Sequence, residues 1–485
     1  MHKHHRIALA AAAVAALTGG LLTAVAGQAA AAPTGVQGDF DHDGFRDLAV
    51  SSPYASVAGQ AQAGQITILY GSQDGAGATR RATITQNSAG VPGTAEKGDS
   101  FGATTHAGDF NGDGYADLAV GAPGEDVAGD TDGGTTEIIW GSATGLSGGT
   151  TIADPAPHDH DRFGTAVAAG DFDGDAKTDL VVGDSSATLR LFKGGIAKSG
   201  TAGSKAAVST PILGGGDAGA ISLTPGDVNA DGRTDLVVNG VEGTNSGEYL
   251  YNANYYLPGT ASGLGSGDAM KLPAGVITAI GDVNGDGYGD LVTGLHWDDT
   301  VPGTTKGGKV TVRYGSASGP SGDTAAITQD SGAIPGSSET GDSFGWEVTL
   351  GDVNGDSIQD LAIGAPAEDL GSATETGAVT VVYGSTGGLD TTTGVQYFQQ
   401  DTEGVPGSNE GYDHFGGEVF LSDVTGDGKA DLTIGANGEN DGNGAVVALR
   451  SDGTRIVTAG ARSYAPSAVG VSTAGYPQFG SVISG

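Results

Sequence analysis

Seven times along the chain a short apolar run follows at once on an Asp-rich segment, as in GDFDHDGFRDLAV, whose loop starts at Asp39. The other loops start at Asp109, Asp171, Asp227, Asp282, Asp352 and Asp423, so successive starts lie 70, 62, 56, 55, 70 and 71 residues apart. The pattern within one period is clearest in the second copy. There Phe101–Ala107 reads as a first strand, Leu118–Gly121 as a second, Thr135–Trp140 as a third and Thr150–Ala153 as a weaker fourth. The third strand recurs from Ile66, Ala187, Lys309, Ala378 and Ala445. Short apolar runs broken by Gly, Asn and Asp predict an all-β chain. Four antiparallel strands in each of seven copies predict a seven-bladed β-propeller. Small residues in the second strand, Ala49, Ala119 and Ala362, fit sheets that pack face to face near a crowded axis.

The ends of the chain bear on how such a ring closes. Phe479-Gly480 and the residues to Gly485 look like the start of a unit without its loop, and Val36–Gly38 supply the complement. The two ends are expected to share one blade. Ahead of them, Met1–Arg6 are basic, Ile7–Ala26 apolar, and Ala29 and Ala31 small, which predicts a signal peptide over 1–31 cleaved after Ala31. The propeller is then expected over 32–485, secreted, extracellular and without a membrane span.

Phe101-Gly102, an Asp loop and Gly121-Ala122-Pro123 form one set, and Phe344-Gly345 with Gly364-Ala365-Pro366 another. Phe163-Gly164 and Phe415-Gly416 keep the first half, whereas the blades around Asp227 and Asp282 lack Phe-Gly. This resembles the FG-GAP repeat of the integrin α-subunit N-terminal propeller. The resemblance implies structural calcium sites, and a ligand face on the rim opposite the metal loops.

The loops carry their own chemistry. Oxygen-bearing side chains at positions 1, 3, 5 and 9, with a backbone carbonyl at 7, repeat the first part of an EF-hand loop. The candidate ligands are Asp39, Asp41, Asp43, Phe45 and Asp47; Asp109, Asn111, Asp113, Tyr115 and Asp117; Asp171, Asp173, Asp175, Lys177 and Asp179; and Asp227, Asn229, Asp231, Arg233 and Asp235. The remaining three sets are Asp282, Asn284, Asp286, Tyr288 and Asp290; Asp352, Asn354, Asp356, Ile358 and Asp360; and Asp423, Thr425, Asp427, Lys429 and Asp431. Oxygen donors without His or Cys favour Ca²⁺, up to seven ions. Ala176 and Ser357 stand where the turn favours Gly, and the loops at Asp352 and Asp423 rank weakest.

Charge narrows the partners. The formal net charge is −37, from 58 acidic against 21 basic residues, so nucleic acid and anionic lipid are disfavoured. No cysteine is present, so stabilisation has to come from packing or metal. Gly98–Gly102 and Gly341–Gly345 fit G-x-S-x-G, but they lead into a strand where a nucleophile elbow needs a helix. Lys97-Gly98-Asp99 belongs to the repeat, and His158–Asp161 reads as a polar turn between blades. Tyr249, Tyr251, Tyr255 and Tyr256 read as core. His296, Trp297 and Asp298, beside Asp299, fall after a second strand and are the candidate ligand-rim residues, with Trp297 suited to stacking on a sugar. The expectation is a monomeric, non-catalytic, calcium-binding adhesion or binding module for an extracellular protein or carbohydrate. The alternative is a polysaccharide lyase or hydrolase, or a lectin, on the same scaffold.

Overall fold

A computed structural model describes residues 38–216, 218–243, 250–298, 301 and 303–485. The expected signal peptide lies outside the described residues, as do Tyr249 and Asp299. Seven four-stranded antiparallel sheets are present, plus a small ribbon pairing Gly259–Thr260 with Gly263–Leu264. Blade 2 is typical, running outward from the axis through Thr104–Gly108, Asp117–Ala122, Thr135–Trp140 and Ser147–Thr151. Blades 3 to 7 begin with Ala166–Gly170, Ser222–Gly226, Ile277–Gly281, Glu347–Gly351 and Phe415–Ser422. In blade 1 the innermost strand comes from the other end of the chain: Val482–Ser484 pairs antiparallel with Leu48–Ser52, Ile483 opposite Val50.

Seven separate apolar clusters hold the ring, one between each pair of neighbouring blades. Phe479 sits in the cluster between blades 7 and 1, beside Leu48, Val446 and Ile483. The repeat motif explains how closely the blades approach. A Cβ on Gly121, the first residue of Gly-Ala-Pro, would lie 2.0 Å from the carbonyl oxygen of Gly164, the Phe-Gly glycine of the next blade. Gly364 meets Gly416 and Gly294 meets Gly345 at the same 2.0 Å, and Gly435 meets Gly480 at 2.1 Å. Backbone packs on backbone here, so only glycine fits. The Phe-Gly glycines are left-handed, with Gly102 at φ 87° and Gly164 at φ 96°. That turn delays the first strand of blade 2 to Thr104, past the expected Phe101. The fourth strand starts at Ser147, earlier than its pattern suggests, because this outer edge buries little and carries no apolar alternation.

The order of strands fixes two rims. In blades 2 to 7 the Asp loops join first to second strands on one rim, the bottom, and the loop at Asp39 leads into the second strand of blade 1 on the same rim. Turns after the second strands, and the connectors between blades, lie on the other, the top.

Candidate metal loops and the opposite rim

All seven loops share one backbone. Position 4 is left-handed in each, from His42 at φ 57° to Gly355 at 78°, and so is position 6, including Ala176 at 63° and Ser357 at 70°. The position-1 aspartate accepts the amide of position 6 through Oδ2 in every loop, as Gly44 to Asp39 at 2.9 Å and Ser357 to Asp352 at 2.8 Å illustrate. The position-9 aspartate ties the loop to the sheet. One Oδ of Asp47 accepts the amide of Phe40 at 2.8 Å and the other that of Gly71 at 2.8 Å, where the third strand ends. The second of these bonds recurs in the six other loops, at Asp117, Asp179, Asp235, Asp290, Asp360 and Asp431.

These position-9 carboxyls are buried to 2% exposure or less. Burial pushes Asp47 up to about 8, against backbone hydrogen bonds that pull it down, and Asp117, Asp179, Asp290 and Asp360 up to about 7. A carboxylate in that position is stable as an anion only with compensating positive charge. Side-chain cations meet only part of this need. Arg80 Nη1 lies 2.5 Å from Asp41, Lys193 Nζ 3.1 Å from Asp173, Lys198 Nζ 3.1 Å from Asp113 and Arg233 Nη1 3.1 Å from Asp231. None of these reaches position 9. Carboxylate oxygens of Asp39, Asp41 and Asp43, and of Asp171, Asp173 and Asp179, lie within 4.8 Å of one another, a spacing that one cation spans. These two donor sets therefore fit a hard divalent ion.

The top rim is different. His296 stacks on Trp297 with ring centroids 4.4 Å apart and on Trp346 at 4.6 Å, joining blade 5 to blade 6. Burial lowers His296 to about 4, so the ring between the indoles is neutral at pH 7. Asp298 is held by backbone: its carboxylate accepts the amides of Gly307 at 2.6 Å and Gly341 at 3.0 Å. Trp346 was not among the sequence candidates, although it stands after Phe-Gly where sister blades carry Ala103, Thr165, Gly417 and Ser481.

Other singled-out residues have structural places. Ser100 and Ser343 are left-handed turn residues whose hydroxyls donate to the carbonyls of Gly98 and Gly341. His160 is buried, with Nε2 3.4 Å from Asp154 and 3.2 Å from Asp184, which also pairs with Arg190. Burial opposes its protonation, but the two carboxylates raise its pKa overall. Trp140 is buried and donates from Nε1 to Thr150 at 3.0 Å. Tyr255 and Tyr256 are buried, and the Tyr256 hydroxyl donates to Asp235 at 2.9 Å. Along the axis runs a cavity of about 630 Å³ lined in part by His106, Glu347 and Glu418, the last accepting the amide of Ile483.

Comparison with known proteins agrees with this architecture. Residues 31–69, 101–142, 344–382 and 415–449 match the FG-GAP repeat, and 171–238 match the FG-GAP-like repeat. This is an integrin-like propeller of FG-GAP repeats. The FG-GAP propeller is 34% identical over 162 residues to rat phosphatidylinositol-glycan-specific phospholipase D, covering 33% of this chain and 18% of that protein. It is 27% identical over 235 residues to Drosophila melanogaster integrin alpha-PS2, covering 45% and 16%. With Xenopus laevis integrin alpha-5 the identity is 38% over 91 residues, 19% of this chain and 8% of that one. The chain thus aligns with less than a fifth of the length of each of these relatives. The solved Dos1 propeller aligns at a TM-score of 0.40 and 9% identity, over 81% of this chain and 80% of that one. Among the described residues no helix is long and apolar enough to cross a membrane.

Proposed function

We propose that this propeller is a secreted, calcium-stabilised binding module whose top rim engages an extracellular protein or carbohydrate. The observation that carries the reading is a division between rims. Every Asp loop is at the bottom, whereas the four exposed Tyr and Trp side chains among the described residues, Tyr54, Trp346, Tyr412 and Tyr476, are at the top. Large rings left in water on one face only mark an interaction surface. On the bottom face, calcium would be held by the carboxylates and carbonyls of positions 1 to 9, and its charge would keep the buried position-9 aspartates ionised. The seven sites are then structural. At ten times its Kd each site adds about 1.4 kcal/mol, so full loading is worth on the order of 10 kcal/mol. The partial matches to integrin α subunits and to the phospholipase support a binding propeller that works outside the cell.

Two measurements test this. Calorimetry in excess chelator should show a large fall in Tm that added Ca²⁺ restores; an unchanged transition rejects the metal assignment. Hydrogen-exchange footprinting of the chain on extracellular-matrix or cell-wall material should protect the top turns and connectors. Protection confined to the Asp loops, or none, rejects the rim assignment.

A further inference from the structure

Resting on that rim assignment, we propose that the top rim binds a neutral polysaccharide chain laid over an arc of aromatic side chains from blade 5 round to blade 1. The first support is conformational. Tyr412 and Tyr476 stand three residues before the Phe of Phe-Gly, where Gly98 and Gly341 stand in other connectors. Those glycines have φ of 95° and 102°, and the tyrosines adopt the same left-handed region at 68° and 59°. That region is unfavourable for a bulky L-residue. The rings are 60% and 66% exposed, so core packing does not explain why tyrosine replaces glycine there. Strain kept in order to hold a ring in water points to a use for the ring.

The second support is the His296, Trp297 and Trp346 stack. Trp346 is 43% exposed, and the His296 ring packs against it at 4.6 Å. Its orientation is set before any ligand arrives, which limits the entropy lost on binding. At the far end of the arc, Tyr54 opens onto a cleft of about 520 Å³ whose wall also carries Ser100, Asp132, Gln478 and Ser481. An aromatic face beside short hydrogen-bonding side chains suits a pyranose, which offers C–H groups on one face and hydroxyls at its edge.

The layout selects the occupant. Protein anchors cluster in one desolvated patch. Here the rings come from separate elements, the connectors into blades 6, 7 and 1 and the turn after the second strand of blade 1. A polymer of repeating units meets such separated platforms in turn. The net charge of −37 disfavours polyanionic glycans.

The test is retention of the whole calcium-loaded chain on amorphous cellulose, chitin, mannan and starch, with alginate and chitosan as charged controls. At least one neutral polymer should retain it, and alginate should not. The double variant Tyr412→Gly, Tyr476→Gly restores the glycine of the sister connectors, so its Tm should be unchanged or higher. Its affinity should fall tenfold or more, at about threefold to tenfold per ring. Trp346→Ala should weaken binding by a similar single step. The proposal is overturned if no neutral polymer retains the chain, if the variants bind as well as the parent, or if alginate retains it equally. Preference for chitosan that disappears in salt also overturns it, in favour of a cationic partner. Top-rim protection by a protein without polymer retention rejects the polysaccharide and leaves the rim reading standing; protection on the bottom rim rejects both.

Discussion

Glu137 shows how one residue departs from the repeat. It sits in the third strand of blade 2, where Thr67 and Thr380 stand in blades 1 and 6. It is 2% exposed, and its Oε2 has no hydrogen-bond partner. Burial, and secondarily the charge of Glu125, push it up to about 8. The folded state therefore holds a proton that the unfolded chain releases near the ordinary glutamate value of about 4.3. Between those two values the native state binds more protons, so stability falls as pH rises. Glu137→Gln should remove this fall and leave a protein more stable at pH 8, by on the order of 5 kcal/mol, with little change at pH 4. Thermal melts of both proteins across pH 4–9 check it; parallel curves would place the proton elsewhere.

At the scale of elements, the contact between a second strand and the next blade's Phe-Gly turn is the joint that repeats around the ring. It is backbone against backbone, so it gives little. Gly121→Ala would bring Cβ to 2.0 Å from the Gly164 carbonyl and 2.6 Å from Thr104 Cγ2. Overpacking of this kind costs about 1–3 kcal/mol. Gly322→Ala is the control, because nothing lies within 4 Å of its Cβ position. The first variant should melt several degrees lower and the second as the parent does. Equal melting would show that the blades separate there without penalty.

For the whole molecule the decisive contact is the closing blade. Deleting Phe479–Gly485 removes a fully buried phenylalanine, the strand paired with Leu48–Ser52 and the amide that Glu418 accepts. It also exposes a free strand edge at the axis, which templates association. The truncated chain should elute as aggregate and lose its cooperative transition. Light scattering that reports a monomer with parental melting would mean that the other six interblade clusters hold the ring unaided.

The sequence by itself determined the all-β class, the seven loops, their oxygen-bearing positions and the pairing of loop with following strand. Each of these is local: positions 1 to 9 of a loop, two left-handed turn residues and a short apolar run interact within a dozen residues, so a repeating string records them. The place of Trp297 was legible for the same reason, as an indole just after a second strand. The tertiary structure decided what depends on neighbours a blade or more away. It set Trp346 against His296, took the Asp298 carboxylate for two backbone amides, and enclosed His160 between Asp154 and Asp184. It also gathered Tyr54, Trp346, Tyr412 and Tyr476 on one rim from positions more than 400 residues apart at the extremes. Tyr412 and Tyr476 carry no signal in the sequence; it is their backbone that holds a conformation which glycine takes in the sister connectors. That is a property of the ring: the connector's path is set by the blades it joins, and the residue there has to follow it.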